Sequence, residues 1–160
     1  MKVVHFIFLF LESEPTQNMK TKLNSILLVD DDEPTNFINQ IVIKRLGCAE
    51  NVTAVKSGLA ALDYLNTLEE NGNPHPNLIF LDINMPAMNG WEFLEEFKKL
   101  PERQKSKITI VMLTTSVNPD DHAKARSYKE VMEYEIKPLT ADKMRRIITL
   151  YFCKKDYIES

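Results

Sequence analysis

The stretch LIFLDINMPAMNG, residues 78–90, sets four apolar residues directly against an aspartate. An unbroken apolar run such as Leu78 to Leu81 is the pattern of a short strand covered on both faces, because it lacks the polar alternation of a strand with one wet side. Asp82 therefore stands at the mouth of a buried strand. Taking a carboxylate out of water there costs several kcal/mol unless something compensates. An acid closing such a strand beside the turn-forming MPAMNG segment has little structural purpose, which makes Asp82 a candidate reactive group.

Outward from this strand the chain alternates regularly. Ser25 to Val29 (SILLV) is a second continuous apolar run, ending in Asp30, Asp31 and Asp32. Pro34 fits the first turn of a helix, and Phe37, Ile38, Ile41, Val42 and Leu46 recur at helical spacing until Gly47 stops it. Val52 to Val55 is a short strand. Ser57 caps a second helix carrying Leu59, Leu62, Tyr64, Leu65 and Leu68, and Asn71 to Asn77 (NGNPHPN) is a loop by composition. After strand 78–81 the pattern predicts a helix over 91–99, a strand over 108–113, a helix over 120–128, a strand over 131–136 and a helix over 140–152. Five βα units in series give an α/β fold with a doubly wound, five-stranded parallel sheet, since right-handed crossovers place helices on both faces.

Ligands of such sheets bind beyond the carboxyl ends of the strands. Strand one ends in Asp30, Asp31 and Asp32, strand three in Asp82, strand four in Thr114, Thr115 and Ser116, and strand five in Lys137 and Pro138; strand two offers nothing comparable. Carboxylates converging there repel one another unless a cation neutralises them. An all-oxygen site with few protein ligands suits magnesium. Lysine and hydroxyl groups at the neighbouring strand ends suit a transferred phosphoryl group. Asp82 is thus read as a nucleophile that accepts phosphoryl as an acyl phosphate, aided by the metal.

Single features have plainer readings. Three aspartates are commonly a helix N-cap run, Lys137 before proline a surface lysine, Thr114 a turn cap and Tyr134 an ordinary core or interface aromatic. Trp91, Phe93, Leu94 and Phe97 read as helix core, and His5, His75 and His122 are too scattered for a metal or catalytic cluster. Four independent strand ends supplying acid, acid, hydroxyl and lysine favour a common site.

Composition narrows the classes. The chain has 160 residues, 44% apolar and 27% charged, as expected of one globular domain with one core. Its formal net charge of −3 and scattered basic residues argue against nucleic acid or an anionic membrane as a partner. Cys48 and Cys153 lack a CxxC spacing and read as reduced thiols, consistent with a cytoplasmic setting. Met1 to Leu11 has a basic start and an apolar run too short to span a bilayer, followed by Glu12, Ser13, Glu14 and Pro15 where small cleavage-site residues would stand. It is an extra packed element, a weak export signal, or sequence upstream of a true start at Met19. Residues 1–22 are accordingly treated as an appendage.

The motifs VDDDEP (29–34), LDINMPAMNGWEFL (81–94), MLTTS (112–116) and YEIKP (134–138) together resemble the receiver domains of two-component response regulators, in the family's order and over about Leu23 to Phe152. The resemblance implies a flavodoxin-like sheet of strand order 2-1-3-4-5 spanning residues 23–153. It implies Asp82 as phosphoacceptor, with Asp30 and Asp31 holding Mg2+ together with Asp82 and the Asn84 backbone carbonyl, Asp31 being the direct ligand and Asp32 a solvated third. Thr114 becomes the switch hydroxyl, Lys137 the phosphate-pairing lysine, Tyr134 the aromatic rotamer switch, and Pro138 the family's cis-proline. Thr115 departs from the small residue usual after the switch hydroxyl, which points to slower phosphotransfer. Asn84 and Ser116 occupy positions like those that tune dephosphorylation.

By the same resemblance the protein is a phosphoacceptor signalling domain rather than an enzyme. It is phosphorylated by a histidine kinase or a histidine phosphotransfer protein. On phosphorylation Tyr134 is expected to rotate inward and shift the face built from the fourth helix, fifth strand and fifth helix, which is assigned to a downstream protein or to phosphorylation-dependent homodimerisation. Residues 154–160 are too few for an output domain, so a stand-alone receiver is expected. Two alternatives stand beside it: a phosphatase of the haloacid dehalogenase type, which wants an acid where Asn84 stands, and a phosphorylation-independent interaction module.

Overall fold

The computed structural model describes residues 19–153. The expectations for residues 1–18 and for the tail 154–160 lie outside the described residues. Five strands alternate with helices: β1 (Leu23–Val29), α1 (Glu33–Leu46), β2 (Ala49–Val55), α2 (Gly58–Asn66), α3 (Leu68–Asn71), β3 (Leu78–Leu81), α4 (Gly90–Lys98), α5 (Glu102–Lys105), β4 (Thr109–Thr114), α6 (Pro119–Arg126), β5 (Val131–Ile136) and α7 (Ala141–Tyr151). All pairings are parallel and the sheet order is β2-β1-β3-β4-β5, the doubly wound flavodoxin-like arrangement that was expected.

Local chemistry sets the helix ends. The Asp32, Ser57, Asn89 and Thr140 side chains accept from backbone N–H groups in the first turns of α1, α2, α4 and α7, satisfying donors that the helices leave orphaned. Asn89 and Glu92 form a reciprocal capping box. Gly47 closes α1 at φ 61°, a conformation open to glycine without strain.

The sheet is covered on both sides, so its central strands read as continuous apolar runs. Leu27, Val29, Ile79, Leu81, Ile110 and Met112 pack with α2 and α4 through Leu65, Phe93, Leu94 and Phe97. On the other face Ile26, Leu28, Leu78, Phe80, Val111 and Leu113 pack with α1 and α7 through Val42, Ile43, Met144, Ile147 and Ile148.

Several boundaries differ from the sequence reading. β2 begins at Ala49, three residues before the apolar run, because pairing with β1 extends the ladder through polar residues. The helix expected to run on to Leu68 stops at Asn66, and α3 takes up Leu68 to Asn71, so the loop begins at Gly72. α5 is a four-residue polar helix with no apolar signal to announce it.

Phe37 and Leu59, read as inward-facing, are 58% and 57% exposed. In α1 the buried positions instead include Asn36 and Asn39. Cys48 and Cys153 are free thiols, and burial pushes the Cys48 thiol up to about 11. Among the described residues no helix is long and apolar enough to cross a membrane.

Candidate functional site

Parallel register brings the strand ends together. Val29 is level with Leu81, so Asp30 and Asp82 emerge side by side from β1 and β3, and the Asp82 N–H donates to the Val29 carbonyl at 3.0 Å. Thr114 is level with Ile136, so Lys137 follows directly, its N–H donating to the Thr114 carbonyl at 2.8 Å. The Lys137–Pro138 peptide is cis.

Asp30 and Asp82 are buried, whereas Asp31 is exposed. One carboxylate oxygen from each of the three lies within 4.8 Å of the others. The Lys137 ammonium sits 2.6 Å from Asp30 Oδ2 and 3.5 Å from Asp82 Oδ2. Asp30 Oδ1 accepts from the Asp32 N–H at 2.9 Å, and Asp82 Oδ1 accepts from the Ile83 N–H at 2.9 Å.

These contacts set the charges. Burial raises the Asp82 carboxyl above its ordinary value, Lys137 pulls it back, and the Asp30 charge adds to the rise. Burial disfavours the Lys137 charge, yet the hydrogen bond and charges of Asp30 and Asp82 outweigh it and hold the ammonium above its usual value. Asp32, expected as a solvated third acid, is exposed but structurally engaged. Its Oδ2 accepts from the Thr35 hydroxyl at 2.5 Å and the Thr35 N–H at 3.0 Å, and these bonds hold it below the usual carboxylate range.

The loop after Asp82 is tightly folded against the site. Gly90 donates to the Ile83 carbonyl at 2.8 Å, and a Cβ at position 90 would lie 2.5 Å from the Asp82 carbonyl oxygen. Asn84 is exposed in this loop, two residues beyond Asp82.

Thr114 is fully buried at the end of β4, and its hydroxyl accepts from the Ser116 N–H at 3.2 Å. Tyr134 packs against the core and its hydroxyl donates to the Ser116 carbonyl at 2.9 Å. Burial raises the Tyr134 phenol. Among the described residues neither side chain is hydrogen-bonded to the carboxylate cluster. The structure thus gathers Asp30, Asp31, Asp82 and Lys137 into one contact group and sets Thr114 and Tyr134 beside it, joined to each other through Ser116. Sequence reasoning missed that link. It also missed His122, whose ring meets Tyr134 edge-on at 5.1 Å; that contact joins α6 to β5 and leaves no periodic signal.

The donor set fits a hard divalent cation. All candidate donors are oxygens, two buried carboxylates carry a like charge that one lysine only partly balances, and the exposed Asp31 leaves one side open to water and a phosphoryl group. The family model for the response regulator receiver domain matches residues 26–149. The chain belongs to the response regulator receiver family.

As a receiver it is similar to a two-component response regulator from Cytophaga hutchinsonii, with 39% identity and a TM-score of 0.74 over 81% of this chain and 96% of that one. It is also similar to the Mn(2+)-bound form of response regulator Rcp1, with 33% identity and a TM-score of 0.63 over 81% of this chain and 94% of that one. A third likeness is to the phosphorylated cyanobacterial phytochrome response regulator RcpA, with 30% identity and a TM-score of 0.64 over 79% and 89% of the two chains. This receiver is a phosphoaccepting response regulator, and neither alternative is favoured. Receivers bind Mg2+ or Mn2+ through an acidic pocket, and the cluster Asp30, Asp31 and Asp82 is consistent with one. The family implies a histidine kinase or a phosphotransfer protein as donor.

Proposed function

We propose that Asp82 is the phosphoacceptor of this receiver, and that Asp30, Asp31, Asp82 and the Asn84 backbone carbonyl hold Mg2+ beside it. The supporting observation is the reach of Lys137 to both Asp30 and Asp82, which puts one ammonium between the metal-side acid and the reactive acid. Bound there, the cation supplies charge neutralisation at the phosphoryl oxygens.

The remaining work falls to this chain's own groups. A carboxylate oxygen of Asp82 attacks the phosphorus of a phosphohistidine, the new O–P bond forms as the P–N bond breaks, and that electron pair returns to the donor imidazole. Lys137 then pairs with the added negative oxygens, and the Thr114 hydroxyl turns from its Ser116 contact to donate to one of them. Ser116 is the carbonyl that holds Tyr134, so a shift of Thr114 reaches the α6, β5 and α7 face through a bond already in place. That face serves a downstream protein or a second copy of the chain. The free thiols of Cys48 and Cys153 support a cytoplasmic setting.

Wild type and Asp82→Asn, each incubated with Mg2+ and a small acyl phosphate donor, test the assignment by intact mass. Wild type should gain one phosphoryl group per chain and the variant none. Equal labelling of both would show that the acceptor lies elsewhere, and sustained turnover of a phosphomonoester would favour a phosphatase.

A further inference from the structure

Beneath the carboxylates lies a small cavity of about 10 Å³, lined by the polar residues Asp30, Asp82, Asn36 and Asn39 and by an equal number of apolar ones, Phe80 and Leu113 among them. Asn36 and Asn39 are 5% and 4% exposed, one helical turn apart on the face of α1 that meets the sheet. Asparagine is a poor helix former and burying its amide is unfavourable, while the large apolar neighbour Phe37 points outward. The helix thus buries polar groups at the one place where it passes under the acidic site.

The Asn36 amide nitrogen donates to the Asp30 carbonyl at 2.8 Å. Asp30 is thereby held at three points: its carbonyl by Asn36, Oδ1 by the Asp32 N–H, and Oδ2 by Lys137. The other amide atom, Asn36 Oδ1, is buried without a partner in the protein. This volume is the least that holds one water, and the four polar residues on the wall offer the several partners that an internal water needs.

We propose that Asn36 is a positioning residue for the divalent cation site: its amide clamps the Asp30 peptide, and its oxygen anchors one buried water beneath the Asp30 and Asp82 carboxylates. The inference rests on the assignment of those carboxylates to the metal. Groups that orient metal ligands from behind govern affinity although they never touch the ion. A clamp on the peptide that ends β1 keeps the two buried acids at the separation which the cation must bridge.

Asn36→Leu, close in size but without donor or acceptor, provides the test, with Phe37→Ala as a control on the exposed side of the same helix. Magnesium titration by calorimetry on the folded proteins should give a dissociation constant at least about tenfold weaker for Asn36→Leu and unchanged for Phe37→Ala. A purely structural role would lower the melting temperature of the metal-free protein and leave the dissociation constant within twofold of wild type, and that result overturns the proposal. Should Asn36→Leu not fold, a high-resolution crystal structure of the wild type decides: an ordered water within hydrogen-bond distance of Asn36 Oδ1 supports the proposal and its absence refutes it. Failure of wild type to bind magnesium would sink the metal assignment and this inference together, whereas equal binding by wild type and Asn36→Leu sinks the inference alone.

Discussion

The Lys137 ammonium lies 2.6 Å from Asp30 and 3.5 Å from Asp82, so two buried carboxylates share a single cation. Removing it leaves their repulsion uncompensated. Lys137→Met should lose about 1 to 3 kcal/mol of stability at neutral pH, less than a fully buried pair because solvent still reaches the lysine. Asp82 is already raised, and loss of Lys137 raises it further. The sign follows: an acid with a raised folded value favours the folded state at low pH, so the destabilisation shrinks as pH falls and the carboxylate takes up a proton. Saturating Mg2+ should restore part of the loss. Urea denaturation across pH, with and without the metal, measures both; a variant as stable as wild type at neutral pH would mean that the three charges are not coupled.

Two glycines near the site differ in what surrounds them. A Cβ on Gly90 would lie 2.5 Å from the Asp82 carbonyl oxygen and 3.0 Å from the Ile83 Cα, both backbone atoms that cannot step aside. On Gly58 the nearest atom is the Met88 sulfur at 2.8 Å, the end of a flexible side chain. Gly90→Ala should therefore cost about 1 to 3 kcal/mol and impair phosphoryl acceptance, whereas Gly58→Ala should cost less than about 1 kcal/mol and leave it intact. Denaturation midpoints and labelling yields compare them, and an equal cost would contradict the backbone argument.

What the sequence revealed and what it hid follow from range. Apolar runs such as Leu78 to Leu81, caps such as Ser57 and the helical pattern over 140–152 are local signals, and β3, α2 and α7 appear where those signals place them, within a residue or two at their ends. The gathering of Asp30, Asp82 and Lys137 followed from the general rule that ligands sit at strand ends, whereas the sheet order was implied by the family resemblance and not by the pattern of elements. The face of α1 was legible at Ile38, Val42 and Leu46 but not near its start, because periodicity rewards Phe37 whereas tertiary context buries Asn36 and Asn39 against the cavity beneath the site. The tie between Thr114 and Tyr134 through Ser116 rests on backbone atoms, which every residue carries, so no residue type announces it.

Stability should fall on the alkaline side in two stages. Burial holds the Cys48 thiol at about 11, and burial plus hydrogen bonds to Glu95 and Glu133 hold Tyr128 and Tyr151 at about 12. Each is an acid raised on folding, so its contribution is complete below the unfolded value and is lost as pH rises through the folded one. The decline should begin near pH 9 with Cys48, at about 1.4 kcal/mol per pH unit, and steepen above about pH 10 as the tyrosines join. Cys48→Ala should delay the onset without removing the second stage. Denaturation series of both proteins test this, and coincident profiles would rule out the thiol.

Tyr134 offers the sharpest test of the signalling route. Its ring already packs on the core, and its hydroxyl donates to the Ser116 carbonyl, two residues beyond the proposed switch hydroxyl of Thr114. Tyr134→Phe keeps the ring and removes one hydrogen bond, worth about 1 kcal/mol of stability. If the inward ring and the phosphorylated site favour one another, the same bond also supports binding of a phosphoryl mimic, because coupling is reciprocal. Beryllofluoride with Mg2+ should then bind Tyr134→Phe about fivefold more weakly than wild type, the factor that 1 kcal/mol represents, and shift fewer amide signals of α6 and α7 in NMR spectra. A variant that loses stability yet binds the mimic with wild-type affinity would separate the hydrogen bond from the switch: Tyr134 would be part of the packing alone, and the signal would have to leave the site by a route that bypasses Ser116.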